Sequence, residues 1–217
     1  MPASISVILP TYRRERVLVE TLRALEPQLF PGDEILVIDQ TPRHEPETEA
    51  ALCQMASRGT IRWHRKTKPS QTEAMNVGAR LAKGALLLFL DDDITPSEGL
   101  LTAHRRALMD DPTLPASTGQ VFQPWNPGPV ERVIDYGLGF DFAFDRPCEL
   151  LSLMAGNFAM PRDLYLAVGG MDENFQGNNY RNDAEMAHRI FRGTGRKVLF
   201  VPGATLRHLL AGGGNRA

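Results

Sequence analysis

The stretch Ala85-Leu-Leu-Leu-Phe-Leu90, followed at once by Asp91-Asp-Asp93, decides the fold class. Six apolar residues are too few to cross a membrane, which needs about 20. They are the right number for a strand buried on both faces, as in a parallel sheet. We therefore predict a central strand that delivers three carboxylates at its carboxyl end.

The three aspartates favour a divalent-cation site. Side chains alternate along a strand, so Asp91 and Asp93 are expected to point one way and Asp92 the other. Two neighbouring carboxylates repel each other, and their pKa values rise unless a cation lies between them. Mn²⁺ or Mg²⁺ is the expected cofactor, because hard divalent ions take carboxylate oxygens together with substrate phosphates.

The plainer alternative is that the aspartates cap the next helix. Thr95-Pro-Ser-Glu98 argues against it. This stretch by itself predicts the N-cap, the first-turn proline and the capping-box glutamate of a helix. The aspartates are then not needed for capping.

Length and composition set the class of the molecule. The 217 residues suffice for one α/β domain with a sizeable core. A net charge of −2 gives no reason to expect a nucleic-acid partner, because such proteins usually carry a basic excess. Cys53 and Cys148 fit no metal-ligand spacing, so inert thiols are expected. No signal peptide or membrane span is visible. We expect a cytoplasmic protein, with peripheral docking on the inner face of the membrane left open.

Strands and helices alternate at short spacing in the first half, which predicts βαβ units and a parallel sheet. The strands are expected at residues 5–9, 34–38, 60–64 and 85–90. Ligands of such sheets bind outside the carboxyl ends of the strands, so Thr11, Asp39 and the three aspartates should meet there. The second half is predicted to be less regular. Its expected elements are strands at 117–122, 152–160 and 197–201, a short helix opened by Pro161, and a helix at 183–192.

Taken together, motifs along most of the chain, roughly residues 4 to 208, resemble the family 2 glycosyltransferases of the GT-A fold. In chain order they are Ser6-Val-Ile-Leu-Pro-Thr-Tyr12, Val37-Ile-Asp39, Asn76, Leu90-Asp-Asp-Asp93, Gly156-Asn-Phe158, Val168-Gly-Gly-Met-Asp-Glu-Asn-Phe175, Asn182-Asp-Ala-Glu185 with Arg189, and His208. The resemblance implies an α/β fold of GT-A type, with a Rossmann-like, mostly parallel central sheet flanked by helices. One continuous domain is expected over residues 1–217. Its parts would be a nucleotide-binding half at about 4–95, a donor-sugar and acceptor half at about 96–208, and a flexible tail at 209–217.

The resemblance also implies roles for the matching residues. The catalytic base would be Asp183, and the metal ligands would be Asp93 and His208. The nucleotide and donor would be contacted by Pro10, Thr11, Tyr12, Arg13, Asp39, Asn76, Asp91 and Asp92. The donor sugar and acceptor would be lined by Gly156, Asn157, Phe158 and Asn182. Trp125, in a proline-rich loop, is a further candidate for sugar stacking or for an interface.

The implied reaction is the inverting transfer of a sugar from a nucleotide-sugar, with a UDP-sugar as the first expectation, to an acceptor hydroxyl. A divalent cation would stabilise the leaving diphosphate, and a carboxylate would take the proton of the acceptor. The acceptor stays open between a carbohydrate, a lipid-linked and a small-molecule compound, with polysaccharide biosynthesis as the expected context. A homodimer contact or an acceptor lid formed by residues 123–150 also stays open.

Three positions depart from the family pattern. Gln40 and Asn182 each replace an acidic residue, and Met75 replaces a common arginine. These departures keep open a degenerate module that binds a nucleotide-sugar without turning it over. The run Asp91-Asp-Asp-Ile-Thr95 also fits the D-x-D-x-T pattern of haloacid-dehalogenase-type phosphatases, with Asp91 as the nucleophile. That motif normally closes the first strand of its domain, whereas three βα units precede it here.

Plainer roles also stay open for several residues. Asp39 can form a turn before Thr41, and Asn76 can hydrogen-bond a neighbouring loop. Asp183 can be the favourable negative charge at the start of a helix. Glu185 and Arg189, at i,i+4, predict a surface ion pair.

Overall fold

The computed structural model describes residues 2–125, 128, 142–175 and 181–212, and they form one α/β domain. The strands are β1 (Ile5–Thr11), β2 (Glu34–Asp39), β3 (Arg62–Arg65), β4 (Leu86–Leu90), β5 (Ile94–Pro96), β6 (Ser117–Phe122), β7 (Cys148–Leu150), β8 (Asn157–Pro161) and β9 (Val198–His208). The helices are α1 (Arg16–Leu25), α2 (Pro46–Ser57), α3 (Gln71–Leu81), α4 (Leu100–Asp110), α5 (Arg162–Ala167) and α6 (Asn182–Thr194). Across these residues, we find no helix with the length and apolarity that a membrane span requires.

The strands join in a single sheet with the order β3-β2-β1-β4-β8-β6-β9-β5, and β7 pairs with β9. The four strands of the first half run parallel, as the alternation of strands and helices predicts. The second half joins through β8, which lies antiparallel to β4. The predicted α/β fold is confirmed, and the antiparallel pairs belong to the less regular second half.

The central strand β4 is buried along its whole length. Leu88 packs in one apolar cluster together with Val7 of β1, whereas Leu87 and Phe89 pack in a second cluster with Ile8. Alternate residues therefore enter cores on opposite faces of the sheet. Helices cover both faces, which is why this strand is a continuous apolar run.

The helix predicted to begin at Thr95 begins later, and this expectation was wrong. Ile94–Pro96 forms β5, which pairs with the end of β9. Helix α4 begins at Leu100, after Gly99 in the left-handed region at φ 81°. Residues 94–96 pair with β9 instead, so they adopt an extended backbone rather than the helix start that the local capping signals predicted. The aspartates still do not cap α4, because β5 separates them from it.

Other boundaries shift by several residues. Strand β9 continues to His208, which the sequence placed beyond its end. Strand β8 begins at Asn157 rather than at residue 152, and α6 continues to Thr194, followed by Gly195 at φ 71°, rather than ending at residue 192. Helix α3 is capped by Ser70, whose hydroxyl accepts from the backbone N–H of Glu73. Residues 126–127, 129–141, 176–180 and 213–217, which include parts of the predicted contact loop and tail, lie outside the described residues.

Candidate active site

The carboxyl ends of β1, β2 and β4 meet at one edge of the sheet. Thr11 and Asp39 pair in the register of β1 and β2. Asp91 follows the last residue of β4, and its backbone N–H donates to the carbonyl of Gly156 at 3.3 Å. The sheet therefore brings the three predicted loops together, as the position of ligand sites in such sheets requires.

Asp91, Asp93 and His208 form a cluster that fits a metal ion. One ligand atom from each lies within 4.8 Å of the other two. His208 Nε2 lies 3.2 Å from Asp93 Oδ1 and 3.9 Å from Asp91 Oδ2. His208 Nδ1 donates to the side-chain oxygen of Gln123 at 3.0 Å, so in the neutral ring Nε2 carries a lone pair. A protonated ring donates from Nε2 to Asp93, whereas a neutral ring turns this lone pair to the carboxylate, an arrangement that a cation between the two atoms stabilises.

Asp92 is not part of this cluster. Its Oδ2 accepts from the Thr11 hydroxyl at 2.6 Å, and its Oδ1 accepts from Arg14 Nε at 3.1 Å. Burial, together with the neighbouring Asp93 and Asp91 carboxylates, raises the pKa of Asp92 to about 6. Thr11 and Asp92, both predicted to contact the nucleotide, are thus buried and bonded to each other.

Arg14 is a buried residue of this site that sequence reasoning missed. Its guanidinium bridges Asp92 and Asp93, with Nη2 at 3.0 Å from Asp93 Oδ2. Burial by itself raises the pKa of Asp93, but bonds from His208, Arg14 and the Ala211 amide hold that pKa below its usual value. The sequence did contain a signal for this residue. Three adjacent carboxylates need a positive charge nearby, and the loop after β1 contains two arginines, Arg13 and Arg14.

Asp183 lies in the first turn of α6 and is buried. Burial raises the pKa of its carboxyl group, and the charge of Asp91 adds to this effect. Two bonds from backbone amides, including that of Ala184 at 2.8 Å, act in the opposite direction. The adjacent Asn182 is also buried, and its side-chain nitrogen donates to no acceptor within the described ranges.

Asp39 is enclosed in a buried network rather than open to a ligand. Its Oδ2 accepts from His44 Nε2 and Trp63 Nε1, each at 3.0 Å. Its Oδ1 accepts from the Thr41 backbone, which agrees with the predicted turn. His44 Nδ1 in turn contacts Glu15 at 3.1 Å, so the histidine joins the loops that follow β1 and β2.

This network makes stability depend on pH. Burial alone lowers the pKa of His44, but Asp39 and Glu15 outweigh it and raise that pKa above 6.5. Hydrogen bonds from His44 and Thr41 outweigh burial and lower the pKa of Asp39. The His44 contribution is therefore complete below about pH 6.5 and is lost as pH rises through the folded pKa. The Asp39 contribution is present above about pH 4 and is lost as pH falls.

We expect His44→Gln to lower the free energy of unfolding most between about pH 4.5 and 6.5, and less at pH 9. Urea unfolding at pH 5, 7 and 9 measures this dependence. His188→Gln, at an exposed position on α6, is the matched control and should show no such trend. A deficit of His44→Gln that is equal at all three pH values would contradict the charged pair.

Asn76 and Met75 have structural positions in α3. The Asn76 side chain donates to the Met171 carbonyl at 2.8 Å and accepts from the Met171 amide and the Tyr165 hydroxyl. Its polar atoms are thus engaged by a neighbouring loop, the plainer of the two roles, and not directed to a nucleotide. Met75 is buried in the apolar core.

Asn157 and Phe158 do not line the site, contrary to expectation. Phe158 is fully buried and stacks on Phe89 with ring centroids 4.7 Å apart. The Asn157 side chain bonds to His104 and to the carbonyls of Gln120 and Ala204 inside the sheet. Both belong to β8, which directs Phe158 into an apolar core and Asn157 towards His104 of α4.

Gly156, one residue earlier, does touch the site. A Cβ at this position would collide with the Asp91 carboxylate. The close approach therefore requires glycine.

Gln40, which stands where the family pattern has an acidic residue, has a structural role. Its Nε2 donates to the Thr11 carbonyl at 3.3 Å, and its Oε1 accepts from the Ser70 amide. A carboxylate could not make the first of these bonds. Gln40 thereby joins the end of β1 to the cap of α3.

Four predicted residues lie at the accessible rim or near it. Arg13 is exposed and its guanidinium stacks 5.0 Å from the Tyr12 ring, while Pro10 is half-buried. Trp125 is 68% exposed and lies two residues after Gln123, the partner of His208.

Glu185 and Arg189 form the predicted ion pair on α6.

Solved structures with a similar fold are glycosyltransferases of GT-A type, and the fold of this chain is of that type. GalNAc-T7 with UDP, GalNAc and Mn²⁺ superposes with a TM-score of 0.74 at 17% identity, over 95% of this chain and 44% of that one. The mannosyltransferase PcManGT of Pyrobaculum calidifontis, with GDP-Man and Mn²⁺, superposes with a TM-score of 0.73 at 19% identity, over 99% and 59%.

Residues 6–169 match the sequence model of glycosyl transferase family 2, and the chain belongs to this family. A segment of 89 residues, 41% of the chain, is 33% identical to an uncharacterised glycosyltransferase of Haemophilus influenzae and 32% identical to one of Rickettsia conorii. The chain matches 29% and 14% of the lengths of these relatives. Family membership leaves the phosphatase alternative without support.

Proposed function

We propose that this protein transfers a sugar from a nucleoside-diphosphate sugar, first of all a UDP-sugar, to an acceptor hydroxyl with inversion. The observation that carries the proposal is the cluster of Asp91, Asp93 and His208 at the carboxyl edge of the sheet. Membership of glycosyl transferase family 2 supports it. The two structural neighbours hold UDP or GDP-Man together with Mn²⁺.

Asp93 and His208, with Asp91, would hold the divalent cation, Mn²⁺ or Mg²⁺. Such an ion supplies positive charge that stabilises the leaving diphosphate. Gln123 supports this assignment, because its bond to Nδ1 directs Nε2 of His208 towards the carboxylates. Gly156 keeps the Asp91 carboxylate close to the backbone.

Asp183 would be the general base. The acceptor oxygen attacks the anomeric carbon as the bond from that carbon to the diphosphate oxygen breaks on the opposite face. Asp183 takes the hydroxyl proton, and the nucleoside diphosphate leaves with the bonding electron pair. A raised pKa suits this role, because a base works best when its pKa lies nearer the working pH.

Rim residues would recognise the substrates. Tyr12 and Arg13 stand beside the strand end, where a guanidinium can meet the diphosphate and a ring can meet the base. Asn182 offers a buried amide donor next to Asp183. Trp125 offers an exposed indole for stacking on the acceptor sugar.

The test follows donor sugars by proton NMR in the presence of Mg²⁺, which is diamagnetic and leaves the anomeric signals sharp, with water in place of the acceptor. The panel contains UDP-, dTDP-, GDP- and CDP-sugars of known anomeric configuration. We expect one donor to be hydrolysed, with the anomer opposite to that of the donor appearing first. First appearance of the same anomer would refute inversion and the role of Asp183. Binding of a donor without release of nucleoside diphosphate, even with added acceptors, would favour the non-catalytic module.

A further inference from the structure

The Arg14 side chain joins two parts of the molecule that lie almost 200 residues apart in sequence. Its Nη1 donates to the carbonyls of Ala211 and Gly212, at 2.5 and 2.7 Å. Its Nε and Nη2 donate to Asp92 and Asp93. With 7% of its surface exposed, Arg14 uses its planar fork to hold two carboxylates and two carbonyls.

The chain after β9 is also held by Asp93 directly. We call residues 209–212 the strap. The Leu209 amide donates to the Asp93 carbonyl at 2.9 Å, and the Ala211 amide donates to Asp93 Oδ2 at 2.9 Å. Leu210 between them adopts φ 51°, a left-handed conformation that is costly outside glycine and persists where neighbours enforce it.

These contacts divide the two oxygens of the Asp93 carboxylate between two tasks. Oδ2 accepts from Arg14 and from the strap, while Oδ1 faces His208 Nε2 at 3.2 Å. One oxygen is thus fixed by the protein, and the other is directed into the metal cluster. The orientation of a ligating carboxylate is set by such partners.

We propose that Arg14 is a positioning residue that locks the strap onto Asp93 and thereby aims Asp93 Oδ1 at the divalent cation. The proposal deepens the proposed function, on which its metal part rests. Arg14 also supplies one positive charge to three neighbouring carboxylates. A divalent ion would supply the remaining two, so that the site is neutral when loaded.

The first test uses Arg14→Lys, which keeps the charge but not the fork that reaches four acceptors. Hydrogen exchange is measured without metal or nucleotide. We expect the amides of Leu209 and Ala211 to exchange about tenfold faster or more, the factor expected when a charge-assisted hydrogen bond is lost. Arg16→Lys is the matched control, because that side chain is 91% exposed on α1. Unchanged exchange in Arg14→Lys would overturn the lock.

The second test changes the strap and leaves the buried carboxylates intact. Ala211→Pro removes the amide that donates to Asp93 Oδ2, whereas Ala211→Gly keeps it. We expect Arg14→Lys and Ala211→Pro each to weaken Mn²⁺ binding about 10–100-fold, as loss of an outer partner does at other metal sites. Titration followed by electron paramagnetic resonance of Mn²⁺ measures it. Wild-type affinity in Ala211→Pro would overturn the positioning role.

The outcomes separate this proposal from the proposed function. The exchange result is obtained without any substrate, so it stands or falls independently of sugar transfer. If the wild-type protein transfers sugar but hydrogen exchange of the strap is unchanged in Arg14→Lys, the proposed function stands and the proposed lock is refuted. Faster strap exchange in a protein that binds no Mn²⁺ would keep the lock and overturn both the metal site and the aiming of Asp93.

Discussion

Replacing Asp183 by asparagine is expected to lower the turnover number by about 10²–10⁴, the range that a positioned general base contributes. The amide has the same shape but cannot accept the proton of the acceptor hydroxyl. Binding of the donor should change little, because the proposed cation ligands are Asp91, Asp93 and His208 and do not include Asp183. The measurement is steady-state kinetics of nucleoside-diphosphate release, with donor affinity measured separately.

The pH dependence gives a second check on Asp183. The base must be ionised, so activity falls as pH falls through its pKa. Burial raises that pKa, which places the acidic limb above the ordinary aspartate range near pH 4. Asp163→Asn, at a side chain that is 99% exposed, is the control. It should retain the wild-type turnover number and the wild-type acidic limb of the pH profile. Wild-type turnover in Asp183→Asn would show that another group takes the proton.

The sequence alone defined the centre of the sheet and the acidic edge. The run from Ala85 to Leu90 is apolar at every position, and such a short run is typical of a strand with cores on both faces. Strand geometry predicted that Asp91 and Asp93 act together without Asp92, and the structure groups Asp91 and Asp93 with His208 while Asp92 binds the Thr11 hydroxyl. These features could be predicted because they depend on neighbouring residues in the sequence and not on distant contacts.

Long-range contacts decided what the sequence did not show. Nothing local distinguishes Arg13, which is exposed, from Arg14, which is buried between carboxylates and the strap. Thr95 lies in a strand because β9 pairs with it more than 100 residues later. Phe158 matches a motif yet faces the core, because its direction depends on the register with β4. Such positions require the register and partners, which only the folded chain provides.

Replacing His208 by alanine is the second change with a large expected effect. His208 supplies the nitrogen of the cluster, and loss of an outer partner alone costs 10–100-fold in metal affinity. We therefore expect the Mn²⁺ affinity to fall by at least about 100-fold, and turnover with it at limiting Mn²⁺. His188→Ala, an exposed histidine on α6, is the matched control. The fold should persist, because His208 ends β9 rather than lying within it.

Thermal unfolding against UDP, dTDP, GDP, CDP and ADP, each with and without Mn²⁺, tests the central claim most directly. A ligand at 100 times its dissociation constant adds about 2.7 kcal/mol, which for a domain of this size raises the midpoint by about 5–10 °C. We predict this rise for one nucleoside diphosphate only with Mn²⁺, present in His188→Ala and absent in His208→Ala. A rise that does not depend on Mn²⁺, or that His208→Ala retains, would contradict a metal-dependent nucleotide-sugar site at this edge of the sheet.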